Sequence, residues 1–133
     1  SKKLTDTPGS SAYFLGGVIS YANSLKSGYL DVPERLLEKF GAASREVAEA
    51  MAAGVKENSQ ADIGLAVTGV AGPDGGSKDK PVGTVYIGIA ASEARWVTKF
   101  HFTGDRWQIR TLTAQSGLDL IRKYRLQPVV EEE

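Results

Sequence analysis

Residues Thr68–Ala90 read TGVAGPDGGSKDKPVGTVYIGIA, and the fold turns on how that stretch is parsed. Two apolar runs, Ile63–Val67 and Thr84–Ala90, are joined by a segment in which seven of the residues from Gly69 to Gly83 are Gly or Pro. Such a composition is incompatible with a helix or an interior strand, so the segment is a loop. A loop this long without regular structure is either a mobile surface connection or a functional one. The glycines at 69, 72, 75 and 76 permit main-chain N–H groups to turn inward and face an anionic or amide-bearing ligand. A Walker-type phosphate loop is excluded, because no G-K-[ST] follows and the next element is a strand.

Working outward on the C-terminal side, Thr84–Ala91 and Trp96–Thr103 are two strands separated by the polar turn Ser92–Arg95, which predicts an antiparallel hairpin. In the second strand Trp96, Thr98, Phe100 and Phe102 share one face. Val97, Lys99 and His101 take the other, wetter face, where His101 has no role assigned to it. Asp105 and Gln108 have the capping-box spacing that opens a final helix, whose pattern Ile109, Leu112, Leu120, Ile121 fades near Arg125 before Pro128. The tail VVEEE is expected to be frayed and solvated.

On the N-terminal side, IGLAVTG is apolar on both faces, as in a central strand covered by helices on each side. Ser44 is a natural N-cap for a helix in which Val47, Met51 and Val55 recur every four residues, and its small residues predict close approach to another element. Pro33 starts a shorter helix to about Phe40 with Asp31 near its cap, and Gly41 closes it. Asn23–Leu30 is a loop or short helical turn. AYFLGGVISY predicts a buried strand over roughly Leu15–Tyr21, bent at Gly16-Gly17. Pro8-Gly9 with Ser10 and Ser11 forms the turn before it. Together these elements predict one α/β domain, a three-layer α/β/α sandwich whose mixed sheet includes the C-terminal antiparallel hairpin.

Strand polarity alone gathers the distinctive residues. If the glycine loop reverses the chain, then Thr68 at the end of one strand, Thr84 at the start of the next, and Thr103 with Arg106 after the third fall on one edge of the sheet. Ligands of α/β sheets bind beyond strand ends. Arg106 in the first turn of the last helix sits beside unsatisfied N–H groups, where a guanidinium makes a phosphate clamp. A surface arginine paired with a carboxylate is the plain alternative. Thr68 reads equally as a turn or capping residue, and Tyr21 as a ring with a wet hydroxyl at a strand end.

Composition narrows the chemistry. The 133 residues suit one domain able to bury a core without staples. Sixteen basic and sixteen acidic residues cancel, so no global field draws the chain to nucleic acid or a membrane. With no cysteine and one histidine there is no thiolate chemistry, no disulfide framework and no His/Cys metal site. No run of about 18 apolar residues marks a membrane span, and the cytoplasm is the expected location.

Taken together, TGVAGPDGGSKDKPVGTVYIGIA, the upstream LTDTPGSSAYFLGGVISYAN and the downstream FTGDR resemble the C-terminal domain of the CinA competence/damage-inducible proteins, from about Leu4 to Leu120. Family members carry a preceding segment with a Glu-Ser-Cys-Thr-Gly-Gly motif, to which nothing in this sequence corresponds. In full-length CinA proteins the domain is fused to an N-terminal partner domain. Stand-alone members are nicotinamide mononucleotide deamidases, so the resemblance implies hydrolysis of a pyridinium carboxamide with release of ammonia, without metal or cofactor. A non-catalytic module of the same fold, holding a nucleotide or a partner, is the alternative.

Amide hydrolysis without metal needs a nucleophile, a proton acceptor and oxyanion stabilisation. The resemblance maps the family's serine and lysine onto Ser11 and Lys26, one convergent form of the serine-hydrolase arrangement, with Ser10 as the alternative nucleophile. It groups Ser10, Tyr21, Thr68, Gly72 and Arg106 around the substrate. Read without it, Ser11 is a turn residue and Lys26 a solvated charge. A lysine acts as a base only when burial or neighbouring positive charge lowers its pKa. Six or seven extended residues between Ser11 and Lys26 span roughly 20 Å at about 3.3 Å each. The pair therefore meets only if the chain doubles back after Tyr21 or if two subunits share the site. This is a reason to expect a homodimer acting on a small-molecule nucleotide.

Overall fold

The strand Thr84–Ala90 is buried at every position, and the rest of the chain is layered around it. It is β2, the middle of a three-stranded sheet with β1 (Gly64–Gly69) on one side and β3 (Arg95–His101) on the other. This computed structural model describes residues 1–126, so the expectations for Pro128 and for the VVEEE tail lie outside the described residues. Before the sheet come α1 (Lys2–Thr5), a single 3-10 turn (Ser10–Ala12), α2 (Asn23–Leu30), α3 (Glu34–Phe40) and α4 (Arg45–Ser59). After it comes α5 (Arg106–Leu126).

Alternation along the strands divides the core in two. Ala66 and Ala90 face Val47, Met51 and Ala52 of α4, with Leu30 and Val32 completing that cluster. Val85 and Ile87 face Ile109 of α5, with Leu65, Phe100, Phe102 and Leu120 packed around them. Helices therefore cover both faces of the sheet, giving the three layers. Ile87 and Ile89 are almost wholly removed from water, which contributes about 1.5–3 kcal/mol apiece by area. The α4 layer lies unusually near. A Cβ on Gly88 would stand 2.6 Å from the Ala48 carbonyl oxygen, so glycine in β2 and alanines on α4 are what let the two backbones approach.

Local signals hold where local bonds decide. The Ser44 hydroxyl accepts from Val47 N–H at 3.3 Å, capping α4. Asp105 and Gln108 close their capping box with reciprocal 2.8 Å bonds. Gly41 ends α3 at φ +77°. The hairpin pairs Thr84 with His101 through Ala90 with Arg95, and His101 is exposed.

Five expectations are corrected. Leu15–Tyr21 forms no strand and, Ser20 apart, is not buried: Ile19 is 89% exposed, and no ladder bonds join the segment to the sheet. Its apolar run of β-formers is a strand propensity without a partner, and a lone strand is not stable. The three strands are consequently all antiparallel, not mixed. For the same reason β1 is an edge strand and not a central one, with Val67 exposed. Asn23–Leu30 is a full helix of eight residues, more than the loop or short helical turn expected. Finally, Asp31 does not cap α3. It ends α2 in the left-handed region at φ +55° and accepts from Asn58 Nδ2 at 3.1 Å.

Candidate functional site

Antiparallel pairing puts the C-terminal end of β1, the start of β2 and the end of β3 on one edge, because Gly69 is opposite Val85 and Thr84 opposite His101. The glycine loop is anchored there at its foot. Val70 N–H donates to Thr84 O (2.9 Å), Gly83 N–H to Val70 O (2.7 Å) and Phe102 N–H to Gly83 O (2.8 Å). Gly72, Gly75, Gly76 and Gly83 all have φ between +78° and +97°, a region that favours glycine. Among the described residues no protein acceptor takes the N–H groups of Ala71, Gly72, Asp74, Gly75 or Gly76. A loop with fixed ends and unengaged amides is a ready acceptor of an anion or a developing oxyanion.

Arg106 stands in the first turn of α5 and donates from Nη1 to the Gly72 carbonyl at 2.7 Å. Among the described residues it has no carboxylate partner, so the surface ion pair that sequence allowed is not formed. Thr68 is buried, and its hydroxyl donates to Ala42 O at 2.7 Å. Sequence reading passed over Lys80. Its ammonium donates to Phe40 O at 2.5 Å, tying the loop to the α3–α4 connection that Thr68 also holds. Only its place before Pro81 in the loop marked it beforehand, and that gives no partner.

A second grouping forms around α2. Lys26 is only 6% exposed and donates from Nζ to Ser20 O at 2.6 Å and to Tyr21 O at 3.3 Å. No carboxylate among the described residues pairs with it. Burial pushes its pKa below the ordinary lysine value of 10.5, because an ammonium loses hydration there without gaining a counter-charge. Ser10 and Ser11 lie in the 3-10 turn, half-buried and exposed respectively. Neither hydroxyl is hydrogen-bonded to Lys26, whose bonds both go to main-chain carbonyls. Tyr21 is 84% exposed, with its carbonyl rather than its phenol engaged. Gly72 and Arg106 are thus brought into contact, as are Lys26 and the Tyr21 backbone, while Ser11 and Lys26 are not bonded within one chain.

The chain as a whole is similar to known proteins. Residues 1–125 match the family model described as the CinA C-terminal domain. The chain is 60% identical over 129 residues to a CinA-like protein of Desulfotalea psychrophila, covering 97% of this chain and 31% of that one. It is 53% identical over 123 residues to a CinA-like protein of Geotalea uraniireducens, covering 92% and 29%. The chain therefore spans under a third of the length of these curated relatives. Among solved structures, a CinA superfamily protein from Escherichia coli superposes with a TM-score of 0.88 at 28% identity, over 92% of this chain and 72% of that one. The competence/damage inducible protein CihA from Agrobacterium tumefaciens gives 0.88 at 36% identity, over 91% and 74%.

Proposed function

This chain belongs to the CinA C-terminal domain family, and from that premise we propose that it is an amidohydrolase domain converting nicotinamide mononucleotide and water to nicotinate mononucleotide and ammonia. The observation that carries the reading is Lys26, a lysine buried without a counter-charge and with a lowered pKa. A solvated surface lysine has neither property, and a lysine acting as a general base needs the lowered pKa.

In the proposed cycle the neutral Lys26 amine takes the hydroxyl proton of Ser11 as Oγ attacks the carboxamide carbon. The oxyanion that forms is met by main-chain N–H groups of the glycine loop at Gly72, aligned before the reaction begins. Collapse breaks the C–N bond, and the Lys26 proton goes to the leaving nitrogen as ammonia departs. Water, deprotonated by the same amine, then hydrolyses the Ser11 ester and restores the serine. Arg106 and the loop hold the 5′-phosphate, with Tyr21, Thr68 and Ser10 positioning the ring and ribose. The domain would thus act on a small nucleotide in the cytoplasm, with no cofactor. Among the described residues no helix is long and apolar enough to cross a membrane.

The test is ammonia release from nicotinamide mononucleotide and from nicotinamide riboside. Activity on the nucleotide that vanishes in Ser11→Ala and in Lys26→Met, with both variants folded, supports the reading; unchanged turnover in both overturns it. A binding module without turnover is the second reading, favoured by the missing Ser11–Lys26 bond within one chain. Calorimetric binding of the nucleotide with no ammonia released would establish it.

A further inference from the structure

Lys80 crosses from the return limb of the glycine loop to the end of α3, where its Nζ donates to the carbonyl of Phe40, 40 positions earlier in the chain. Phe40 is the last residue of that helix. The final carbonyls of a helix have no partner inside it and mark the negative end of its dipole, so a cation satisfies them twice over. The two carbonyls that follow are taken as well. The Ser44 hydroxyl donates to Gly41 O at 2.8 Å and Thr68 Oγ1 to Ala42 O at 2.7 Å. Three successive carbonyls of the α3–α4 connection thus accept from the loop, from the α4 cap and from β1, each through a part-buried bond.

The outward limb of the loop rests on the limb that Lys80 holds. A Cβ on Gly72 would stand 2.5 Å from Val82 Cγ1, and one on Gly76 would stand 2.9 Å from Val82 N and 3.2 Å from Lys80 O. Between them the tip closes into a tight turn, with Ser77 N–H donating to Lys80 O at 2.9 Å and Lys80 N–H to Ser77 Oγ at 3.1 Å. Residues 80–82 are therefore the backing of Gly72 and Gly76, whose own N–H groups no protein acceptor takes among the described residues. Lys80 and Arg106 make the only side-chain hydrogen bonds between residues 71–82 and the helical layers, among the described residues. Arg106 holds the outward limb at Gly72 O, and Lys80 holds the return limb.

We propose that Lys80 is a positioning residue for the glycine loop: its clasp on the end of α3 fixes residues 80–82, and these keep the unengaged amides of Gly72, Gly75 and Gly76 aligned for a negatively charged oxygen of the ligand. Amides stabilise a developing oxyanion to the extent that they stand in place before the charge appears, because a loop that must first be ordered loses that entropy at each turnover. The clasp stands on the geometry of the loop alone, while its effect on turnover rests on the amidohydrolase reading. Lys80 touches no reacting group in this assignment. Lys78 supplies the contrast: it is exposed in the same turn, and its side chain makes no hydrogen bond or ion pair among the described residues. It carries the same charge without the clasp.

The experiment has two arms, and the first needs no substrate. Backbone amide order parameters are measured by NMR relaxation on the full chain and on its Lys80→Met and Lys78→Met variants. The expected values for Gly72, Gly75 and Gly76 are about 0.85 in wild type and in Lys78→Met, as in rigid backbone, and below about 0.6 in Lys80→Met. Should Lys80→Met fail to fold, Lys80→Gln takes its place, since its amide ends one bond short of the ammonium. A mobile loop in wild type, or the same values in the Lys80 and Lys78 variants, overturns the clasp.

In the second arm, ammonia release from nicotinamide mononucleotide and from nicotinamide riboside is measured per folded chain. The oxyanion forms on the carboxamide of either compound, so Lys80→Met should lower kcat on both. Deleting an oxyanion donor outright costs about a hundredfold or more, and loosening it should cost about tenfold. Lys78→Met should behave as wild type. A residue that only stabilises the fold would leave kcat per folded chain unchanged, and one that only holds phosphate would raise KM for the nucleotide alone. Either of those results overturns the positioning role. If wild-type chain releases no ammonia at all, the amidohydrolase reading fails while the order parameters still decide the clasp.

Discussion

The Arg106 guanidinium donates a 2.7 Å hydrogen bond to the carbonyl of Gly72, joining the first turn of the last helix to the glycine loop. One bond commits one of its five N–H groups, so a planar fork remains beside the loop's unengaged amides. The positive end of a helix is a poor place for a cation unless something holds it there. The Gly72 carbonyl does so.

Arg106→Lys keeps the charge and loses the fork. We expect KM for nicotinamide mononucleotide to rise about tenfold, with nicotinamide riboside hardly affected, because the lost contact is to phosphate. Stability should fall by about 1 kcal/mol, the net worth of one part-buried hydrogen bond. Equal losses on both substrates in steady-state kinetics would remove Arg106 from phosphate recognition.

Lys26 makes stability depend on pH in a defined direction. Its folded pKa lies below 10.5, so between that pKa and 10.5 the unfolded chain keeps a proton that the folded chain has lost. The unfolded state binds more protons in this window, and stability therefore rises with pH across it; below the folded pKa the full cost of the buried ammonium is present. Urea midpoints of wild type measured against Lys26→Met should show that rise only in wild type. The Met variant should be at least as stable at neutral pH, since a buried charge without a counter-ion is replaced by a fitting apolar chain. A parallel pH course in the two proteins would mean that Lys26 is solvated.

The same displaced pKa predicts a rate profile. If neutral Lys26 is the base, kcat/KM for the nucleotide climbs tenfold per pH unit on the acid side and levels off at a midpoint below 10.5. A profile flat from pH 6 to 10 would assign the proton transfer elsewhere.

Gly88→Ala tests the packing of α4 on the sheet. The new methyl would lie 2.6 Å from the Ala48 carbonyl oxygen, which is main chain and cannot rotate away. We expect a loss of about 1–3 kcal/mol, typical of overpacking, read as a lower denaturant midpoint with the slope unchanged. Wild-type stability in this variant would show that α4 slides freely over β2.

Much of this molecule was readable from residue order because its signals are local. The Asp105–Gln108 capping box, the Ser44 cap and the β2–β3 hairpin each depend on residues a few positions apart, and each forms where its pattern stands. The shared edge holding Thr68, Gly72 and Arg106 followed from strand polarity, which a single chain reversal settles. Tertiary structure decided the rest. The apolar β-formers of Leu15–Tyr21 state that a strand is possible, but pairing requires a neighbour, and among the described residues the chain offers none. Burial of Lys26 is likewise invisible in the sequence. An isolated lysine between Leu25 and Ser27 reads as solvated until α2 turns it back beneath the Ser20 carbonyl, and that burial lowers its pKa. Local hydrogen bonds and side-chain periods are written in neighbouring residues, whereas desolvation and strand pairing depend on which distant groups arrive.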